Sequence, residues 1–141
     1  RLTFYKLIVT ILPGKAPRWE RRVPSRVRQF IPQSLQVCAF FCQRDVDLFA
    51  IETCQDTRNA KAALIALEEV FAETGQHRPV VASCTIEPTG TMLAGQTEES
   101  FYVSIAHARP LAVGLNCATG PEFMTDHLRS LHQLADCAVS C

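Results

Sequence analysis

Hydrophobic positions follow a regular alternation from residue 45 to residue 141. Short apolar runs, typical of buried strands, are separated by longer segments in which apolar residues recur every three or four positions, as they do on one face of a helix. The pattern predicts strands over residues 46–51, 80–86, 111–117 and 137–141, and helices over residues 57–74, 97–107 and 121–134. This part of the chain is therefore predicted to consist of successive strand–helix units.

The helix predicted over residues 57–74 has the clearest boundaries. Asp56 or Thr57 can cap its first turn, and Gly75 can end it because glycine adopts the left-handed conformation without strain. Its apolar residues recur at helical spacing and are predicted to face the core: Ala60, Ala63, Leu64, Leu67, Val70 and Phe71. The later helices carry similar signals, a Thr97 cap and Pro121 in a first turn, and their predicted inward residues are Phe101, Ile105, Met124, Leu128 and Leu131.

The predicted strands begin about 26 to 33 residues apart, which suits βαβ units with right-handed crossovers. Such units build a parallel sheet, so the predicted fold class is α/β. An open doubly wound sheet and half of an eight-stranded barrel give the same pattern at this level. Only the barrel arc requires all three helices to lie on one face of the sheet.

The first 44 residues differ from the rest in charge and composition. They contain nine Lys and Arg against one acidic residue, whereas residues 45–141 contain five against thirteen. Four prolines, Pro13, Pro17, Pro24 and Pro32, interrupt this basic segment. We predict an irregular, poorly ordered arm over residues 1–44 that does not supply barrel strands, and its composition suggests that it is not native to the domain of residues 45–141. Its basic residues show neither a helical face nor aromatic interleaving, so no nucleic-acid or membrane partner is predicted.

Overall composition fits one globular domain, with 48% hydrophobic and 20% charged residues. No apolar run approaches the roughly 20 residues that span a bilayer. Seven cysteines without a close-spaced framework argue against a disulfide scaffold and favour a reducing compartment, so a cytoplasmic location is expected. Residue 1 is Arg rather than Met, which suggests a piece of a longer chain.

Polar residues follow three of the four predicted strands. These are Glu52 and Thr53, then Thr85 and Glu87, then Asn116 and Cys117. The carboxyl ends of parallel strands carry the sites of α/β folds, so Glu52, Thr85 and Cys117 are expected within two to three strand spacings of about 4.8 Å. A carboxylate, hydroxyls, an amide and a thiol suit the ammonium and sulfur of an amino-acid thiol, bound directly or through a metal. The alternative is that strand ends are simply where solvent begins.

Other candidate motifs are weak. No Gly-x-Gly-x-x-Gly segment or phosphate-binding Lys motif follows a strand, which argues against a nucleotide fold. The four histidines, at positions 77, 107, 127 and 132, do not group and are interpreted as surface or packing residues. Cys38 and Cys42 lack a second pair that would complete a metal site. Cys54, Cys84 and Cys141 lie near strand ends, and buried inert thiols are preferred there to an improvised metal site.

Four segments carry a family resemblance. They are Val-Asp-Leu-Phe-Ala-Ile-Glu-Thr (46–53), Asp-Thr-Arg-Asn-Ala-Lys-Ala-Ala (56–63), Thr-Met-Leu-Ala-Gly-Gln-Thr (91–97) and Gly-Leu-Asn-Cys-Ala-Thr-Gly-Pro (114–121). In this order they make residues 45–141 resemble the homocysteine-binding domain of cobalamin-dependent methionine synthases, in the homocysteine S-methyltransferase family. The last segment is the most diagnostic. Residues 1–43 match nothing in the family pattern.

The resemblance implies a (β/α)8 barrel that uses zinc and homocysteine. In the family, three cysteine thiolates hold zinc, which binds the sulfur of homocysteine and favours its thiolate. That thiolate receives a methyl group from methylcobalamin, supplied ultimately by methyltetrahydrofolate. Cys117 matches the first zinc ligand, and Glu52 matches the carboxylate that binds the substrate ammonium. Thr53, Thr85 and Asn116 are expected beside them as substrate-binding residues, and no residue is assigned as catalytic.

The family's other two zinc ligands form a Cys-Cys pair in a Gly-Gly-Cys-Cys-Gly segment that these 141 residues do not contain. We therefore expect a partial barrel of about four βα units, inactive alone, with two further cysteine ligands beyond residue 141. Cobalamin- and folate-binding domains are expected elsewhere in the full-length chain. The alternatives are a betaine-type homocysteine S-methyltransferase, a non-catalytic fragment and an amino-acid-binding module.

Overall fold

The computed structural model describes the strand at residues 4–8 and all of residues 46–141. Its five strands are β1 (Phe4–Ile8), β2 (Leu48–Cys54), β3 (Val80–Cys84), β4 (Ala112–Leu115) and β5 (Ala138–Ser140). Its α-helices are α1 (Thr57–Thr74), α2 (Glu98–Ile105) and α3 (Pro121–Leu134), and a 3-10 turn over Ala106–Ala108 follows α2.

The five strands form one parallel sheet in the order β1-β2-β3-β4-β5. Each crossover moves one strand in the same direction, and right-handed crossovers of that kind place every helix on the same face. Contacts between α1 and α2 and between α2 and α3 agree with this arrangement. The structure thus confirms the partial barrel, since a doubly wound sheet would reverse direction and place helices on both faces.

Helix α1 matches its predicted boundaries because local residues set both ends. Asp56 Oδ1 accepts a hydrogen bond from the Arg58 N–H at 2.8 Å. At the other end Gly75 has φ 69° and donates its N–H to the carbonyl of Phe71 at 2.9 Å. All six apolar positions predicted to face the core are buried. The amphipathic pattern therefore predicted the packed face of α1 correctly.

The two later helices and the strands differ only slightly from prediction. Thr97 Oγ1 accepts from the Ser100 N–H at 3.3 Å, which begins α2. Pro121 is the first residue of α3. The predicted core residues of these helices are buried, except that Leu128 is partly buried against the core. Strand β2 runs to Cys54, three residues beyond its predicted end, whereas β3 ends two residues earlier than predicted, because Thr85 and Ile86 lie in the irregular segment that follows it.

The core lies between the sheet and the helices. Along β2, buried Phe49 and Ile51 alternate with half-buried Leu48, Ala50 and Glu52. The ring of Phe49 meets that of Phe71 on α1 with centroids 5.9 Å apart, so the buried set faces the helices. Glu52 therefore belongs to the opposite face of the sheet, which is the inner face of a barrel. Among the described residues, no helix combines the length and the apolar character needed to cross a bilayer.

The N-terminal segment corrects one prediction. Residues 4–8 form β1, which pairs with β2 in parallel from Phe4 opposite Leu48 to Ile8 opposite Glu52. The prediction of an irregular arm is therefore wrong for these five residues. The reason is that a composition averaged over 44 residues hides a short strand-forming run that precedes Pro13, the first proline. Residues 1–3 and 9–45, including Phe30, Leu35, Cys38 and Cys42, lie outside the described part, and a boundary at residue 44 stays a prediction.

Candidate functional site

Asn116 lies at the point where the carboxyl ends of β2, β3 and β4 meet. It follows β4 directly, and its N–H donates to the carbonyl of Cys84 at the end of β3 at 3.1 Å. Its side-chain oxygen accepts from the Thr53 N–H at 3.0 Å and from the Ser83 hydroxyl at 2.7 Å. One amide thus connects residues of three neighbouring strands.

The side-chain nitrogen of Asn116 completes this connection. It donates to Thr53 Oγ1 at 2.7 Å and to Cys117 Sγ at 3.0 Å. The Thr53 hydroxyl lies 4.0 Å from the same sulfur. Both donors and both acceptor positions of the amide are therefore in use, which fixes its orientation. We call Thr53, Ser83, Asn116 and Cys117 the rim cluster.

The rim cluster depends on an unusual backbone. Thr53, Cys117 and Ala118 have φ values of 61°, 62° and 54°, in the left-handed region that non-glycine residues rarely adopt. The β2–β3 register shifts between Ile51 and Cys54, as in a β-bulge. Such conformations persist only where surrounding contacts hold them, and the Asn116 side chain supplies contacts at both Thr53 and Cys117. The result is a thiol presented at the surface on a constrained loop.

The residues predicted from sequence lie at this same end of the sheet, with different environments. Thr85 is 2% exposed, and its hydroxyl donates to the Asn116 carbonyl at 3.0 Å. Its hydroxyl is thus used within the protein and supports the loop that carries Cys117. Glu87 instead begins a turn, accepting from the Gly90 N–H and donating its own N–H to Thr91. Ser83 was not predicted, although its alternation with Thr85 in an apolar strand was a usable signal.

Glu52 and Thr53 border a hollow of about 200 Å³ beside the rim cluster. Cys54, Gln55 and Asn59 complete its lining, so it lies where β2 ends and α1 begins. Glu52 is half-buried in β2. The hollow therefore places the Glu52 carboxylate beside Thr53, the residue through which β2 joins the rim cluster.

Metal-ligating residues are sparse among the described residues. No group of three His, Cys, Asp or Glu side chains there is close enough to hold a metal ion. Burial raises the pKa of the Cys54 and Cys84 thiols to about 12, with the charges of Cys54 and Glu98 adding to the effect at Cys84. Both are therefore neutral, inert thiols at physiological pH. The described residues alone supply one thiol, Cys117, of the three ligands that a catalytic zinc site needs.

Sequence patterns do not indicate one partly buried pair, His127 and Glu98. His127 Nδ1 lies 2.8 Å from Glu98 Oε1, and the Glu98 side chain is 4% exposed. His127 was expected to be an isolated surface or packing residue. The pair joins α2 to α3, and its members are 29 positions apart in the chain, so no local pattern indicates it. His77, His107 and His132 are exposed, as expected.

Thiol labelling will show whether these environments hold in solution. In the metal-free protein at pH 8, iodoacetamide should modify exposed Cys117 and Cys141 and leave Cys54 and Cys84 unmodified. A thiol pKa of about 12 instead of 9.0 leaves roughly a thousandfold less thiolate at that pH. Peptide mapping by mass spectrometry gives the extent at each cysteine. Rapid labelling of Cys84 before Cys117 would contradict the described packing.

The same shifts predict how stability changes at high pH. The folded state holds the protons of the Cys54 and Cys84 thiols more tightly than the unfolded chain does, because burial raises the pKa of both. The stability that these two protonated thiols contribute is therefore fully present below pH 9 and is lost as pH rises toward 12.

Comparison with known proteins extends these observations. The crystal structure of the homocysteine methyltransferase MmuM from Escherichia coli, in its apo form, superposes with a TM-score of 0.55 at 20% sequence identity. The match covers 76% of this chain and 42% of that chain, so the sequence spans about two fifths of the length of this relative. The sequence model of the homocysteine S-methyltransferase family matches residues 24–141. The match includes residues 24–43, so the expectation that residues 1–43 lie outside the family pattern is wrong for that part. The chain belongs to the homocysteine S-methyltransferase family.

Proposed function

We propose that this chain is part of a methionine synthase that methylates homocysteine. The observation that carries the proposal is the rim cluster, in which Asn116 holds the Cys117 sulfur at 3.0 Å beside the hollow lined by Glu52. Family membership supports the homocysteine substrate. The resemblance of segments 46–53, 91–97 and 114–121 supports the cobalamin-dependent branch of the family.

In this proposal each residue of the rim has a separate task. Cys117 supplies one thiolate ligand for zinc, and an N–H donor such as the Asn116 amide suits a metal-bound thiolate. Two further cysteines from sequence beyond residue 141 complete the site. When bound, zinc supplies the Lewis acidity that favours the thiolate of homocysteine.

Glu52 fixes the other end of the substrate. Its carboxylate lies on the inner face of the sheet and accepts hydrogen bonds from the substrate ammonium, while the Thr53 hydroxyl borders the same hollow. A fixed anion in a partly dry pocket binds ammonium more strongly than water does. Thr85 and Asn116 hold the loop so that the sulfur-binding and ammonium-binding groups keep their separation.

The methyl donor is assigned by resemblance to methylcobalamin, recharged from methyltetrahydrofolate by other domains of the full-length chain. The test uses the purified full-length protein with homocysteine and either methylcobalamin or betaine, and measures methionine. Methionine from methylcobalamin alone supports the proposal. Methionine from betaine alone assigns the protein to the betaine branch of the family. We further propose a cytoplasmic location, and that the 141 residues alone are inactive.

Replacing Glu52 by glutamine should weaken homocysteine binding. Loss of the charge removes a charge-assisted hydrogen bond, so KM for homocysteine should rise about tenfold or more while zinc content is unchanged. Isothermal titration with homocysteine, with and without zinc, separates this effect from metal capture. Glu99→Gln, a charge removal on α2, is the matched control and should leave KM unchanged. A Glu52→Gln protein with normal KM would remove Glu52 from the site.

Titration also tests the non-catalytic alternative. An amino-acid-binding module would bind homocysteine equally well without zinc and would form no methionine with either donor. That pair of results would replace the proposed enzyme by a binding function.

A further inference from the structure

A second cavity, of about 310 Å³, lies at the opposite end of the sheet from Cys117. It opens where β3 and β4 begin, and the C-terminal half of α1 and the end of the 3-10 turn close its sides. It shares no residue with the rim cluster or with the hollow beside Glu52. We call it the basal cavity, and it is separate from the methyltransferase site proposed above.

The floor of the basal cavity is formed by buried apolar side chains of α1. Leu64, Leu67 and Phe71 of α1 are 5%, 1% and 4% exposed. Leu111, which also lines the cavity, is 54% exposed and continues the apolar surface toward solvent. Such a lining favours the apolar body of a small ligand, and the volume is at the lower end of the range for small-molecule sites.

Two arginines line the same cavity. Arg78 donates through Nε to the Val46 carbonyl at 2.8 Å, and through its terminal nitrogens to the His77 carbonyl at 3.2 Å and to Gln76 Oε1 at 3.5 Å. All three acceptors are neutral, so they position the guanidinium without neutralising its charge. Arg109 follows the 3-10 turn and is exposed.

The charges around these arginines leave a positive excess. Among the described residues, contacts of salt-bridge length join Glu98 to His127 and Asp126 to Arg129, and none joins a carboxylate to Arg78 or Arg109. Glu68 is the acidic residue of the lining and offsets one of the two charges.

The C-terminal end of a helix carries a partial negative charge, so this end of α1 would repel an anion in the basal cavity. However, the carbonyls of Val70 and Phe71 already accept bonds from Thr74 Oγ1 at 2.8 Å and from the Gly75 N–H at 2.9 Å. These bonds reduce the negative potential at that end. The balance still favours a negatively charged group at the arginines.

We propose that the basal cavity binds a small monocarboxylate with an apolar body, such as a medium-chain aliphatic acid. The carboxylate lies at Arg78 and Arg109, where guanidinium groups offer paired donors. The chain lies against Leu64, Leu67 and Phe71. A purely apolar ligand leaves the arginine charges unused, and a small inorganic anion leaves most of the cavity unfilled.

Octanoate is the probe that tests this proposal, and the full-length protein is the sample. Isothermal titration should give saturable binding with a dissociation constant of about 1 mM or below. Acetate and octanamide, which lack the apolar chain and the charge respectively, should each bind at least about tenfold more weakly. Saturating octanoate should leave homocysteine binding at the rim unchanged.

Replacing an arginine of the cavity is expected to weaken octanoate binding, and replacing Glu68 is expected to strengthen it. Arg109→Asn should weaken octanoate binding about tenfold, and Asn tolerates the left-handed φ of 50° at this position. Arg109→Lys keeps the charge but loses the paired donors, so it should weaken binding less than Arg109→Asn does. Glu68→Gln should tighten binding, because it removes the opposing charge. Arg129→Gln removes an exposed arginine on α3 and is the matched control, with no expected change.

Several results would overturn the proposal. If acetate binds as tightly as octanoate, the arginines form an electropositive surface that does not recognise the apolar chain. If octanamide binds as tightly as octanoate, the cavity is apolar and does not recognise charge. No octanoate binding by the wild-type protein also excludes the site. If Arg109→Asn lowers the stability of the protein, Arg109→Lys and Glu68→Gln still test the charge argument. Unchanged octanoate affinity in Glu68→Gln contradicts it.

Discussion

Replacing Cys117 by alanine in the full-length protein is expected to remove bound zinc and to lower methyl transfer to homocysteine about a thousandfold or more. A catalytic zinc site normally holds its metal through three protein ligands, so losing one leaves two. Even residues that only support metal ligands typically cost about 10- to 100-fold when removed, and a ligand itself should cost more. Cys117 is exposed at the rim with an N–H donor 3.0 Å from its sulfur, an arrangement that suits a metal-bound thiolate.

Zinc per protein by elemental mass spectrometry and methionine formation are the two measurements. Cys141→Ala is the matched control because Cys141 is also an exposed thiol, donating only to Met124 Sδ at 3.7 Å. It should keep both zinc and activity. The left-handed backbone at residue 117 suits alanine no less than cysteine, so folding differences should be small. A Cys117→Ala protein with full zinc and normal turnover would exclude the ligand role.

Elements with local signals were predicted well from the sequence. Asp56 and Gly75 fix the ends of α1 through bonds to residues two and four positions away. Pro121 begins α3 because its missing N–H needs no partner in a first turn. The spacing of the strands, together with the rule that crossovers between parallel strands are right-handed, then predicts a parallel sheet. Short-range chemistry and one general topological rule therefore account for most of the fold.

The details of the site depend on contacts that no short window contains. The sequence placed Asn116 and Cys117 at a strand end, but the Asn116 amide bonds to Thr53, 63 positions away, and to Ser83, 33 positions away. The left-handed φ at Thr53 and Cys117 has no glycine to indicate it. The strand Phe4–Ile8 was missed because its neighbours in sequence, and not its own residues, dominated the composition. Long-range hydrogen bonds and backbone exceptions are thus the parts that sequence patterns do not predict.

Gly114→Ala is expected to destabilise the domain by about 3 kcal/mol or more, at the upper end of overpacking effects. Gly114 is buried in β4 and lies opposite Ser140 of β5. A Cβ at residue 114 would fall within 3.0 Å of the Ser140 main-chain carbonyl carbon and closer still to its oxygen. Backbone atoms of a paired strand cannot move aside as a side chain can. The substitution should therefore separate β5 from β4 and disturb the Asn116–Cys117 loop two residues later.

Urea denaturation of the full-length protein measures the change in stability, and limited proteolysis near residues 138–140 reports the separation of β5. Gly120→Ala is the control: its Cβ would meet only the far end of the flexible Glu122 side chain, so the expected cost is at most about 1 kcal/mol, that of a changed helix cap. The double variant Gly114→Ala with Ser140→Gly decides which atom matters. Removing the Ser140 hydroxyl leaves the clash with its main chain, so stability should stay low. Full recovery in the double variant would show that the side chain of Ser140, and not the close approach of two strands, requires glycine at residue 114.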